Sequence, residues 1–450
     1  MEKIKTFNIV YDKWDDLNNV PIPNYHCAPN DTLIYSIDSI GIIQHWINES
    51  RKEKRFKIKQ CKLQEVVENP NQNYFYMVGH YTFQMRQLFW TYLDLWKNNP
   101  KLTSPFNDVV IEYLKKYKNF KLLLHSEHEC DSEDGFVGLI KFLMVNKINQ
   151  CQVIVTNNNS KLGEYKKKYN SSIIVHSMNF LPSSYSVILT NHLGGCDFIE
   201  NKTKFFLNLN RGPKIHRVML LSLLKKNNML DDTNWSYVPT DKPYVNEEHF
   251  IRLSGEDYDN LKNEIKFFLN LKIKVSDYEI DKGWFNEYED INTEGLPIWL
   301  RVPELLETYE NAYVNLTTES EFENRTNTIH ITEKSFKPFY QFQFPMILAS
   351  KNHIKMLREK YNFDFFDDII NHDYDEIEDE KERIYRYFNE VIRIYNNKDM
   401  FIEFYKNNRI RFEKNRYKVN EILESEKDYD FFENLINHDY SLFNQTIKLL

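Results

Sequence analysis

Short apolar runs that alternate with helical stretches constrain this chain more than any other feature of it. The runs are FKLLL at 120–124, CQVIVT at 151–156, SIIVH at 172–176, FFLN at 205–208, AYVNLT at 312–317 and PMILA at 345–349. Helical apolar spacing falls between or beside them at 84–96, 106–117, 136–145, 215–227 and 333–342, and two further short strands are predicted at 32–37 and 74–78. Strands alternating with helices predict parallel βαβ units and an α/β fold. Residues 230–300 read as polar and irregular, and 378–423 as charged helix. A length of 450 residues predicts two or three domains: an α/β domain over 1–200, a second over 201–380 and a helical tail over 381–450. Parallel sheets hold ligands beyond the carboxyl ends of their strands, so the loop after Leu124 and the end of the strand at Glu319 are natural site positions.

The charge balance, 66 acidic against 58 basic side chains, argues against a general nucleic-acid binder. No apolar run approaches the roughly 18–20 residues of a membrane span. The first residues, MEKIKTFNIVYDKWDD, turn acidic before a signal peptide could form, so a soluble cytoplasmic protein is expected. Cysteines at 27, 61, 130, 151 and 196 are scattered, with no CxxC pair, which argues against a disulfide scaffold or a structural zinc site. Neither a GxxxxGK[ST] phosphate loop nor a GxGxxG dinucleotide loop occurs.

The stretch 313–350 is the richest in chemistry. A strand runs to Glu319, a polar loop follows, and TEK at 332–334 opens a predicted helix, with Lys337 one turn further on. Glu319 and Glu333 are carboxylates suited to sugar or ribose hydroxyls, and Lys334 and Lys337 offer charge to a phosphate. The plainer reading has Thr332 capping the helix and Glu333 favouring its dipole. Upstream, KFFLNLNRGPKIHR places Arg211, His216 and Arg217 at a strand–turn–helix junction. Arginine there suits bidentate phosphate contact, and an exposed helix face is the alternative.

The loop HSEHECDSED at 125–134 presents Glu127 and Glu129. Either carboxylate could accept a proton, and Glu127 lies nearer the strand end. A metal site from His125, Glu127, His128 and Cys130 converges poorly, because adjacent strand residues face opposite ways. The DYD patterns beginning at Asp257, Asp373 and Asp428 read as surface, and no metal is expected. Basic runs at 51–59 and 409–418 read as solvated faces more readily than as nucleic-acid contacts. The segment 362–374 is echoed at 428–440, with His372 and His438 equivalent; two copies do not make a repeat array.

These segments resemble the donor-binding region of the α-1,3-fucosyltransferases, over roughly residues 204–350. ITEK at 331–334 resembles that family's helix start, and 345–349 its following strand. The family glutamate matches Glu319 at the strand end, or Glu323 in the literal FEN at 322–324, and Arg217 matches the arginine that meets the nucleotide diphosphate. The wider pattern is also similar to uncharacterised glycosyltransferase-like proteins of phages and giant viruses. The resemblance implies two facing Rossmann-like domains, the GT-B arrangement, with the donor on the second domain. It implies that Glu127 or Glu129 stands where the family's general base lies, although the E-S-P context is absent. The expected function is therefore inverting hexosyl or fucosyl transfer from a GDP- or UDP-linked sugar to a glycan or small acceptor, with no further cofactor. Two alternatives are a non-catalytic viral structural or assembly protein that retains the fold, and a sugar transferase acting on modified DNA.

Overall fold

The computed structural model describes residues 5–10, 56–61, 63–79, 108–126, 133–157, 159, 161–177, 197–210, 214–237, 245–271, 275–276, 308–323 and 329–423. They fall into two compact units, one within 1–184 and one within 185–423. Both are α/β. The expected strand at 32–37 and helix at 84–96 lie outside the described residues, as does the second copy of the echoed segment.

The first unit is built on a six-stranded sheet in the order β2-β1-β3-β4-β5-β6. Its strands are β1 (Lys5–Val10), β2 (Phe56–Cys61), β3 (Tyr74–Gly79), β4 (Phe120–Ser126), β5 (Val153–Asn157) and β6 (Ile174–Ser177), and every pairing is parallel. The helices between them are α1 (Leu63–Glu68), α2 (Asp108–Lys116), α3 (Glu133–Val145) and α4 (Leu162–Lys168). β4 is covered on both faces, with Leu122, Leu123 and Leu124 all buried, which explains its continuous apolar run. On one face, Phe120, Leu122 and Leu124 pack with Val110 and Leu114 of α2 and with Phe136, Leu139 and Phe142 of α3. Part of the basic run at 51–59 lies on β2, at one edge of the described sheet.

The second unit holds a five-stranded sheet in the order β11-β10-β7-β8-β9. Four strands run parallel: β7 (Lys204–Leu209), β8 (Thr233–Tyr237), β10 (Ala312–Thr318) and β11 (Phe344–Leu348). The short β9 (Val275–Ser276) is antiparallel at the edge. From β7 the chain passes through α5 (Ile215–Lys226) to β8 on one side, then returns in β10 and β11 on the other. That reversal makes the carboxyl ends of β7 and β10 the topological switch point of the sheet. Residues 215–224 of α5 are buried all round, as expected of a helix enclosed in the unit.

The interval read as irregular contains β8 and two amphipathic helices, α6 (Glu247–Ser254) and α7 (Tyr258–Leu269). They bury Phe250, Leu253, Leu261, Ile265 and Phe268 at helical spacing. The helix expected over 333–342 is instead a 3-10 turn, Glu333–Ser335, followed by the four-residue α8 (Lys337–Tyr340). Pro338 has no N–H to bond back to residue 334, and Phe342 adopts φ 51°, so the segment cannot form one helix. Then come α9 (His353–Tyr361), α10 (Glu380–Asn396), α11 (Lys398–Asn407) and α12 (Arg409–Leu423). The last three, read from sequence as the start of a tail, pack within this unit. The Tyr387 hydroxyl donates to the Met346 carbonyl at 3.2 Å, and the rings of Phe401 and Phe412 meet Phe344 of β11 edge-on. No helix among the described residues is long and apolar enough to cross a membrane.

Candidate functional site

All seven residues of β10 are buried, and the ladder with β11 continues one residue past the strand, where Glu319 N–H donates to the Leu348 carbonyl at 3.0 Å. Polar side chains join β10 to β7 across the switch point. Asn208 donates to the Leu316 carbonyl, and the Thr318 hydroxyl donates to Asn210 Oδ1 at 2.6 Å. Against the carboxyl-terminal halves of β7 and β10 lies a pocket of about 30 Å³, lined by Leu207 and Leu209 of β7, by residues 315–318 of β10, and by Tyr309, Lys334 and Lys337. The Lys337 ammonium stands 5.5 Å from the centre of the Tyr309 ring. Such a volume seats one small group, so the remainder of any larger ligand lies outside it.

Glu319 sits behind this pocket, fully buried. Its carboxylate accepts hydrogen bonds from Thr332 N–H at 3.2 Å, Thr332 Oγ at 2.6 Å, Ser320 N–H at 3.0 Å and Ser335 Oγ. Burial pushes its pKa up, but the Lys334 charge, the neighbouring His353 ring and the hydrogen bonds from the two hydroxyls outweigh this and hold it below the ordinary value. The Thr332 hydroxyl also accepts from Lys334 N–H and from Lys334 Nζ, both at 3.3 Å. Lys334 is therefore carried on a turn folded around the Glu319 carboxylate. On the far side of Ser335 stands His353, fully buried, with Nε2 at 2.7 Å from Ser335 Oγ.

The residues singled out in the sequence are distributed as follows. Lys334 and Lys337 face one pocket, with Glu333 in the turn beside them. Glu319 touches that turn but points into the protein. Glu323, the other candidate, pairs instead with Arg252 at 2.7 Å, as does Glu380. His216 donates from Nε2 to the Glu319 carbonyl at 2.9 Å and stacks on Phe322; burial, then Arg217 and Lys214, keeps it uncharged. Arg217 is buried on α5 and so is no exposed decoration, but it does not line the pocket. Arg211, Glu127 and Glu129 lie outside the described residues, the last two just past the end of β4.

Among the described residues no three or more His, Cys, Asp or Glu groups are placed to hold a metal ion. Of the DYD patterns, Asp257, Asp259 and Asp373 are exposed as read. Asp375 is not: it is buried, accepts from Ile354 and Lys355 N–H at 2.9 and 3.0 Å, and so caps α9. The basic run 409–418 is occupied internally. Arg411 grips Asp364 and Asp368, and Arg416 lies over the Tyr340 and Phe342 rings. A larger cavity of about 720 Å³ is lined by Arg358, Asp367, His372, Asp373 and Arg393. Its arginines already pair with Asp367 and Glu390, so size alone does not make it the better site.

Sequence reasoning missed Ser335 and His353. No local signal marks a histidine opening a helix; only the adjacency of β10 and β11 brings it to Ser335. Comparison with family models, with curated proteins and with solved structures gives no match for this chain.

Proposed function

We propose that this chain is a nucleotide-sugar-dependent, inverting glycosyltransferase of GT-B type, using a GDP- or UDP-linked hexosyl or fucosyl donor and a glycan or small acceptor. The observation that carries the reading is the pair Lys334 and Lys337 at one pocket on the switch point between β7 and β10. Nucleotides bind parallel sheets at that place, and two ammonium groups there favour a diphosphate over a neutral ligand. When the sugar leaves, negative charge grows on the diphosphate oxygens, and cations already held in position stabilise it.

The other roles follow from the resemblance. Arg217 contributes positive charge from α5, Arg211 adds a second cation, and Glu333 meets donor hydroxyls. Glu319, inside the protein, holds the turn that carries Lys334. Glu127 or Glu129 accepts the proton of the acceptor hydroxyl as the new glycosidic bond forms. Isothermal titration of the full chain with GDP, UDP and their sugars tests the reading. Saturable binding of a diphosphate, with release of sugar or its transfer to an acceptor, is the expected result. Absence of binding to every nucleotide diphosphate contradicts it.

A further inference from the structure

An ionised carboxylate can only accept hydrogen bonds, so the Ser335 hydroxyl donates its one proton to Glu319. Its other contact, 2.7 Å to His353 Nε2, must then be one in which the imidazole donates. This fixes the neutral ring with its proton on Nε2. His353 Nδ1 has no hydrogen-bond partner, a position a buried lone pair tolerates better than a buried N–H. Burial favours the uncharged ring, against the opposing pull of Glu319 and Asp375, the charged groups that face it.

The ring is held from behind as well. His353 is the first residue of α9, and its N–H donates to the Ser350 carbonyl. The Asp375 carboxylate accepts from the next two N–H groups of the helix, and the Asp375 carbonyl accepts from Asn352 N–H at 2.8 Å. A chain of buried contacts thus runs from a pinned helix start through His353 and Ser335 to Glu319. Thr332 and Ser335 bracket Lys334 on that carboxylate.

We infer that His353 is a positioning residue for the anion pocket: through Ser335 and Glu319 it sets where Lys334 stands, and it touches no ligand itself. This rests on the reading of the Lys334–Lys337 pocket as a phosphate site. Pyrophosphate titration of the full chain tests it, with Ser335→Ala, His353→Phe, His353→Gln, the double variant and Lys334→Ala compared with wild type. Ser335→Ala and His353→Phe should each weaken pyrophosphate binding about tenfold, and the double variant no more than either, because both cut one chain. His353→Gln, which restores an N–H donor at the position of Nε2, should bind within about twofold of wild type. If Ser335→Ala and His353→Phe bind as wild type while Lys334→Ala is weakened, the positioning role is wrong and the anion pocket stands. If Lys334→Ala also binds as wild type, the pocket assignment fails and the inference falls with it. A Gln variant as weak as the Phe variant also overturns it. Should His353→Phe fail to fold, Ser335→Ala, which removes only a hydroxyl, decides the matter alone.

Discussion

The Thr332 hydroxyl donates a 2.6 Å hydrogen bond to the carboxylate of Glu319, thirteen residues earlier in the chain. This contact ties the loop that carries the lysines to the end of a buried strand. A loop so tied presents its charges with little ordering cost on binding, which is how a pocket is preorganised.

Removal of that acceptor should therefore be felt in stability. Glu319→Ala leaves the donors of Thr332 and Ser335 unmet in a fully buried place, and each buried orphan costs about 1–3 kcal/mol. A loss of about 3 kcal/mol or more is expected in urea denaturation. Glu319→Gln keeps one oxygen and should cost less. An alanine variant as stable as wild type would show that the turn does not depend on this carboxylate.

Arg383 holds the segment just beyond Glu319 from another side. Its side chain is 1% exposed, donates to the carbonyls of Ile377 at 2.7 Å and Phe322 at 2.6 Å, and lies over the Phe322 ring. Arg383→Ala should destabilise the second unit by about 3 kcal/mol, from lost packing and unpaired carbonyls. Arg383→Lys should recover only part, because an ammonium lacks the planar fork that reaches both carbonyls. Full recovery by lysine would contradict this account.

Acid should weaken the second unit. The pKa of His372 is lowered from 6.5 to about 4: burial is the main cause and Arg358 adds to it, while the Phe365 carbonyl, Glu390 and Asp373 oppose. As pH falls below 6.5 the unfolded chain takes up a proton that folded His372 refuses until about pH 4, so stability is lost through that window. From pH 7 to pH 5 this one group should account for about 2 kcal/mol. His216 and His353 are lowered in the same direction and add to the slope. In His372→Gln the difference between the two pH values should shrink by about that amount. An unchanged difference would show that His372 is not responsible.

If the proposed glycosyl transfer holds, its proton acceptor should be Glu127 or Glu129. Glu127→Gln, or failing that Glu129→Gln, should lower turnover by about 10²–10⁴ while leaving nucleotide affinity intact. Near-normal turnover in both variants, measured separately, would remove both carboxylates from the chemistry.

The sequence was most legible where burial is most complete. FKLLL and AYVNLT are strands covered on both faces, and their apolar character alone marks them. β8, TNWSY, lies beside the two-residue edge strand with part of its length half-exposed, so it carries no such mark. ITEK reads as the start of a helix but forms a 3-10 turn, because the geometry there is set by Glu319 and Pro338 and not by helix propensity. Lys334 and Lys337 could be named from chemistry and spacing. Ser335 and His353 could not, since what matters in them is contact between loops that leave adjacent strands. The basic run at 409–418 shows the converse: its charges are spent on Asp364, Asp368 and the aromatic rings of its own unit, which a count of arginines does not reveal.

The most direct measurement is nucleotide affinity in Lys334→Ala and Lys337→Ala beside wild type. Each lysine removed should cost about 1.5–3 kcal/mol of charged hydrogen bonding to phosphate, so the Kd for GDP or UDP should rise roughly ten- to hundredfold in each variant. Equal Kd values in wild type and both variants would contradict the placement of the donor diphosphate between β7 and β10.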